Sequence, residues 1–348
     1  MFDFCQPTDF SDLPAPISTA FNGTIVLCGL KTENLIQFSS ALLGQTQAVE
    51  LLTRSIVKQR LAPAYLFHGA DGIGKSLAAR CFIELIFTDG ADEHDRALIE
   101  QKLRQGNHPD VLWVAPTYSH QGKLLSAAEA TTAGVKRKAP PQLRIEQIRD
   151  ISRFLSRPPL LGSRSVIAIE QAQTMAEGAA NALLKTLEEP GKATIIAIAT
   201  SVESLLPTIV SRCQQIPFQR LDRTLMAQVL TNVGKPEILT RPEILGLAQG
   251  SPGAAIAIWE QFQTLPADLL DRLSKLPLTR RQGLELAQQI DRDLDATEQL
   301  WLVDYLQYIY WQKYRNPQII ELLEQTRSHL LAYVQPRLVW ECTLMKIS

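Results

Sequence analysis

Gly69-Ala70-Asp71-Gly72-Ile73-Gly74-Lys75-Ser76 fits G-x-x-x-x-G-K-[ST] without interruption. It lies between a short apolar run, Ala64–His68, and an amphipathic stretch whose Leu77, Ala78, Cys81, Phe82 and Leu85 are expected to face inward. Strand, glycine turn and helix in that order are the context in which such a loop holds phosphate. Glycine lets the main chain wrap closely, so that successive N–H groups and the helix N-terminus face an anion. Lys75 can reach the outer phosphates of a nucleotide, and the Ser76 hydroxyl can ligate Mg2+. The loop alone does not choose among kinases, GTPases and ATPase motors.

Three more apolar runs follow, at Val111–Val114, 166–169 and 194–199, each bounded by Gly, Pro or polar residues. Apolar on both faces and separated by helical segments, they suit central strands of a parallel sheet covered on each side. The fold class is therefore α/β. Upstream, residues 48–59 place Val49, Leu51, Leu52, Ile56 and Val57 largely on one side of a helix. Between the second and third runs, 119–142 reads as a long solvated loop. Its Lys123, Lys136, Arg137 and Lys138 fit either a phosphate contact or a wet surface. After Pro217 only helices are expected, with Gly250-Ser251-Pro252-Gly253 breaking one segment and Pro266 and Pro277 marking a change of domain. In Ala296–Tyr314 a wide stripe of Leu300, Trp301, Val303, Leu306, Ile309, Tyr310 and Tyr314 suits a core or a neighbouring subunit. Residues 1–37 show no sustained period and read as a flexible leader, or as a start codon assigned too far upstream.

The 348 residues are 45% hydrophobic and 20% charged, the composition of a globular protein long enough for two or three domains. Thirty-five Lys and Arg against 36 Asp and Glu leave a net charge of −1, so no global basic field draws the chain to nucleic acid. The five cysteines, at 5, 28, 81, 213 and 342, form no closely spaced pair and suit reduced thiols in a cytoplasm. No apolar run reaches roughly 18 residues, and no basic segment precedes an apolar one at the start, so a soluble, cytoplasmic protein is expected.

A nucleotide-hydrolysing loop needs a carboxylate on a neighbouring strand to hold Mg2+, and a second to polarise water. Val166-Ile167-Ala168-Ile169 is followed by Glu170-Gln171. Glu170 supplies one carboxylate; the same position also fits an ordinary surface end of a strand. Gln171 stands where the second is expected, and an amide takes no proton. Losing a general base costs about 10²–10⁴-fold in rate. The expectation is nucleotide binding without efficient hydrolysis by this chain alone.

Asn181-Ala182-Leu183-Leu184-Lys185-Thr186-Leu187-Glu188-Glu189-Pro190 reads as a helix packed through Ala182, Leu183 and Leu187, solvated at Lys185, Glu188 and Glu189, and stopped by Pro190-Gly191. This decapeptide resembles the helix after the acidic strand in clamp-loader subunits of bacterial DNA polymerase III, which belong to the AAA+ proteins. Ser211-Arg212-Cys213 is similar to the S-R-C motif of the same family, and Leu43-Gly44-Gln45 and His108-Pro109-Asp110 also resemble it. The resemblance runs from residue 38 to about 258 and more loosely through the C-terminal helices. It implies an AAA+ P-loop domain with a parallel sheet at 38–219, a small helical lid at 220–264 and an all-helical oligomerisation domain at 265–348. It implies ATP held by Gln45, Gly69, Gly72, Gly74, Lys75, Ser76, Glu170 and Thr200, with Mg2+ on Ser76 and Glu170. Gln45 is then near the adenine, and Thr200 is the residue that senses the outer phosphate. Arg212 is implied to project onto ATP held by a neighbouring subunit, where such arginines are worth roughly 10³–10⁵ in rate.

Three departures bear on which member this is. No cysteine lies in 88–107, and His94 and His108 cannot make a four-ligand zinc site, so no zinc is expected. Gln171 replaces the catalytic Glu, and Gly253 stands where motor subunits carry arginine. These losses imply a stator that assists a neighbour's hydrolysis, rather than a motor. The complete phosphate loop argues the other way. The implied partners are gamma- or tau-type motor subunits and a delta subunit, and through them the sliding clamp and primed DNA. An ATP-hydrolysing motor, a small-molecule P-loop kinase and an inert scaffold remain as alternatives.

Overall fold

A computed structural model of the chain describes residues 38, 40–120, 123–126, 129, 140–277 and 279–347. The proposed leader, 1–37, and the basic residues 136–138 lie outside the described residues. The chain forms two compact units, one ending at Leu225 and the other beginning at Met226.

In the first unit the order is α1 (Thr46–Val57), β1 (Ala64–His68), α2 (Lys75–Thr88), α3 (Glu93–Arg104), β2 (Val111–Val114), β3 (Tyr118–His120), β4 (Lys123–Leu125), α4 (Ile145–Leu155), β5 (Ser165–Ile169), α5 (Glu177–Glu188), β6 (Ala193–Ala199), α6 (Pro207–Val210) and β7 (Gln214–Pro217). Five strands make one sheet in the order β2-β5-β6-β1-β7, and every pairing in it is parallel. The period of two along each strand divides the core. Tyr65, Phe67, Val166, Ala168, Ile196 and Ile198 pack with α1, α2 and the Phe38 side chain. Leu66, Ile167, Ile169, Ile195 and Ala197 pack on the other face with α4, α5 and α6. Covered on both faces, the central strands are apolar throughout, as a parallel sheet requires.

Three expectations need correction. The stretch read as a solvated loop begins with an antiparallel hairpin, β3 on β4. A fifth sheet strand, β7, carries the unpromising sequence Gln-Gln-Ile-Pro. It lies at the sheet edge, where one neighbour suffices and only Ile216 is buried, so apolarity did not mark it. Finally, Leu77 is exposed, whereas Ala79 and Ile83 are buried. The inward face of α2 is turned because its first residue, Lys75, already points inward.

The described part of the second unit holds helices and no strand: the end of α7 (Arg223–Asn232), α8 (Pro242–Ala248), α9 (Pro252–Thr264), α10 (Ala267–Leu273), α11 (Arg280–Asp293), α12 (Ala296–Tyr314), α13 (Pro317–Leu331) and α14 (Pro336–Ile347). Local signals set the starts. Asp295 accepts from the N–H groups of Thr297 and Glu298, both at 2.8 Å, while Glu298 reaches back to Asp295 N–H. Leu286, Ala287 and Ile290 of α11 and Trp301, Leu302, Leu306 and Tyr310 of α12 bury one continuous core with Trp340 and Leu344 of α14. Two of its polar atoms are paired within it: Trp340 Nε1 donates to Gln299 Oε1 at 3.0 Å, and Tyr310 O–H donates to the Leu273 carbonyl at 2.6 Å. No helix among the described residues is long and apolar enough to cross a membrane.

Candidate nucleotide site

The glycine loop joins the end of β1 to the start of α2. Gly74, at φ +98°, turns the chain into the helix, and Gly69, at φ +145°, turns it out of the strand. At Gly69 the main chain also passes close to the residue after β7. A β-carbon there would stand 2.4 Å from the Phe218 carbonyl oxygen. Lys75 is 5% exposed, and its ammonium donates to the carbonyls of Gly69 and Ala70, both at 2.6 Å. These bonds aim the lysine along the loop, with the Asp71 carboxylate 3.6 Å away. Burial pulls the Lys75 pKa below its ordinary value, and Asp71 opposes the change. A phosphate beside Lys75 opposes it further, because anions favour the charged amine.

A cavity of about 420 Å³ opens over this loop. Of the residues expected from sequence, Gly72, Gly74, Lys75, Ser76 and Glu170 line it together. Glu170 is there because β5 pairs with β6 beside β1, so the carboxyl end of β5 faces the loop. Gln171 follows at φ +46° and also lines the cavity. Gln173, Ile198 and Ala199 complete the wall with Asp71 and Leu77, and the buried Gln173 Oε1 has no hydrogen-bond partner. Nothing in the sequence assigns Gln173, Ile198 or Ala199 to the site, since only the strand order brings the chain after β5 and the end of β6 to the loop. Gly69, Gln45 and Thr200 do not line the cavity. Thr200 is half-buried immediately after the lining residue Ala199.

Gln45 is a clasp. It is 3% exposed; its Nε2 donates to the Gln219 carbonyl at 2.8 Å and the Ile73 carbonyl at 3.4 Å, and its Oε1 accepts from Gln219 N–H at 2.9 Å. The amide thereby ties the segment before α1 to the phosphate loop and to the chain leaving β7. Gln45→Ala strands these buried groups and is expected to cost about 2 kcal/mol, read from urea unfolding at neutral pH.

Arg212 stands elsewhere. It follows α6 and precedes β7, and Gln214 pairs with Tyr65 at the start of β1. The phosphate loop leaves the other end of β1. A five-residue strand separates the two by roughly 16 Å, so Arg212 and Lys75 lie at opposite ends of the neighbouring strands β7 and β1. Arg212 Nη2 lies 2.9 Å from Glu188 Oε1, and its Nη1 donates to the Thr208 carbonyl at 3.0 Å. Its neighbour Cys213 is inert: burial pushes the thiol up to about 11.

The tripeptide His108-Pro109-Asp110 has a structural role that its sequence did not disclose. Asp110, 2% exposed, accepts from the N–H groups of Leu160, Leu161 and Gly162 at 2.6, 2.8 and 2.7 Å. The carboxylate thus moulds the loop entering β5 from the residue before β2. Among the described residues no group of three or more His, Cys, Asp or Glu is placed to hold a metal ion. Gly253 lies in the first turn of α9 in the second unit, where the Ser251 hydroxyl caps Ala254 N–H.

Against known proteins, residues 44–222 match the family model "DNA polymerase III, delta subunit". Residues 224–347 match "Cyanobacterial DNA polymerase III delta prime, C-terminal domain". The chain is 35% identical over 180 residues to DNA polymerase III subunit delta' of Bacillus subtilis, covering 51% of this chain and 48% of that one. It is 32% identical over 201 residues to the subunit of the same name from Pseudomonas aeruginosa, covering 55% and 54%. DNA polymerase III subunit tau of Bacillus subtilis is 27% identical over 236 residues, covering 65% and 38%. The chain therefore spans about half the length of the delta' relatives it matches. With one model matched across the sheet unit and a second across the helices that follow, the chain belongs to the DNA polymerase III delta-prime family.

Proposed function

We propose that the chain is a stator-like clamp-loader subunit that binds ATP at its own phosphate loop and offers Arg212 to ATP held by a neighbouring subunit. The observation that carries this reading is the placement of Lys75 and Arg212 at opposite strand ends of the sheet. An arginine at the strand end away from the loop serves a phosphate outside this chain. A guanidinium is always charged and suits the charge that develops on a transferred phosphoryl group.

At its own loop, the main-chain N–H groups and Lys75 bind the phosphates, with Gln45 bracing the loop from behind. Thr200, next to Ala199, senses the outer phosphate. The Ser76 hydroxyl and the Glu170 carboxylate are the groups here that hold Mg2+, which neutralises phosphate charge when bound. Gln171 orients but takes no proton, so hydrolysis by this chain alone is slow. The partners in this reading are gamma- or tau-type motor subunits and a delta subunit, and through them the sliding clamp and primed DNA. Residues 220–264 act as a lid, and 265–348 join the ring.

Arg212→Ala in the loader reconstituted with its tau-type subunits is expected to lower ATPase turnover tenfold or more, with the variant chain melting at the wild-type temperature. An unchanged turnover sinks the trans-acting assignment. ATP turnover near roughly one per second by the purified chain favours a motor subunit instead.

A further inference from the structure

Arg212 does not sample solvent freely. Glu188 and the Thr208 carbonyl each take one of its terminal N–H groups, and the side chain remains 38% exposed. A guanidinium carries five N–H donors, so these two contacts leave three for a group outside the chain.

The two holding groups come from fixed elements. Glu188 is the last residue of α5, and α5 is seated on the sheet by Ala179, Ala180, Leu183 and Leu187, all buried. Thr208 lies in the short helix α6, seated by the buried Ile209. A four-torsion side chain is thus held at two points before any partner arrives. Holding it in one rotamer reduces the ordering cost when it meets a phosphate.

An ion pair this exposed is weak, because water and salt screen it. It is too weak to withhold Arg212 from a polyphosphate, yet sufficient to bias rotamers. We propose that Glu188 is a positioning residue for Arg212, presenting the guanidinium with its outward N–H groups toward the nucleotide of the neighbouring subunit. This rests on the trans-acting reading above, and its test separates the two.

The experiment measures ATP turnover by the reconstituted loader carrying Glu188→Ala, Glu188→Gln, Arg212→Ala or the Glu188→Ala/Arg212→Ala pair. Glu188→Ala is expected to lower kcat about three- to tenfold with KM unchanged, as misplacement of a catalytic group does. Glu188→Gln keeps an acceptor oxygen and is expected to stay within about twofold of wild type. The double variant is expected to be no slower than Arg212→Ala, because Glu188 acts only through the arginine. Glu188 is 54% exposed at a helix end, so all variants are expected to melt as wild type. If Arg212→Ala slows the loader but Glu188→Ala leaves it unchanged or speeds it, the positioning role is overturned and the trans-acting arginine stands. A double variant slower than Arg212→Ala also overturns it, since Glu188 then acts by another route. If Arg212→Ala itself turns over at the wild-type rate, the underlying reading falls with it.

Discussion

Asp110→Ala is expected to destabilise the first unit by about 3–5 kcal/mol, the loss of three main-chain hydrogen bonds to a charged acceptor. The buried carboxylate takes the N–H groups of Leu160, Leu161 and Gly162, and these bonds shape the entry to β5. Asp110→Asn keeps the volume but turns an N–H₂ toward those N–H groups, so it is expected to recover less than half of the loss. Amide hydrogen exchange across Val111–Val114 and Ser165–Ile169 reads both variants, because the two strands pair directly. Wild-type protection in the alanine variant would falsify the role.

The same contacts set a pH dependence. Burial disfavours the Asp110 carboxylate, but the Leu160, Gly162 and Leu161 N–H groups outweigh it, with His108 adding to them, and hold the pKa below the ordinary aspartate value. A carboxyl with a depressed folded pKa stabilises the fold fully above its unfolded pKa, about 3.9. That contribution disappears as pH falls through the lower, folded value. The stability gap between wild type and Asp110→Asn should therefore be constant from pH 7 to about 5 and shrink below about 4.

What could be read from the sequence was what depends on neighbours along the chain. The glycine loop, the β1 and β2 boundaries and the span Ala296–Tyr314 each carry their signal within a dozen or so residues. Strand β7 did not, because an edge strand needs neither two apolar faces nor a full set of partners. Asp110 shows no role within its tripeptide, since the N–H groups that donate to it lie some fifty residues away across the β2–β5 pairing. The family resemblance of Leu43-Gly44-Gln45 implies that Gln45 lies near the adenine. In three dimensions its amide is consumed by Gln219 and Ile73, a pairing that only the closure of β7 against β1 creates. The partner of Arg212 was likewise hidden. Glu188 read as a solvated helix end, which it is, and only the adjacency of α5 and α6 gives that exposed carboxylate something to hold.

Gly69→Ala is expected to have the second large effect, because two penalties coincide at one atom. At φ +145° a β-carbon is strained, and it would also stand 2.4 Å from the Phe218 carbonyl and 2.7 Å from Ile73 Cδ1. The first contact is with a main-chain oxygen, and Phe218 is itself held by its N–H donating to the His68 carbonyl at 2.8 Å. Relief therefore requires the loop to leave the end of β7. Strain and overpacking together predict a loss of about 3–5 kcal/mol. Gly191→Ala separates the two terms: Gly191 also has a positive φ, +59°, but its β-carbon would meet nothing within 4 Å. That variant is expected to cost about 1 kcal/mol, from backbone strain alone. Displacing Gly69 also moves one of the two carbonyls that aim Lys75, so the phosphate site is expected to be lost with the loop geometry. ATP with Mg2+ at a hundredfold excess over its Kd should stabilise wild type by about 2.7 kcal/mol and Gly191→Ala equally, but leave Gly69→Ala unchanged. If Gly69→Ala melts no lower than Gly191→Ala and still gains from ATP, the close approach to β7 does not shape this loop.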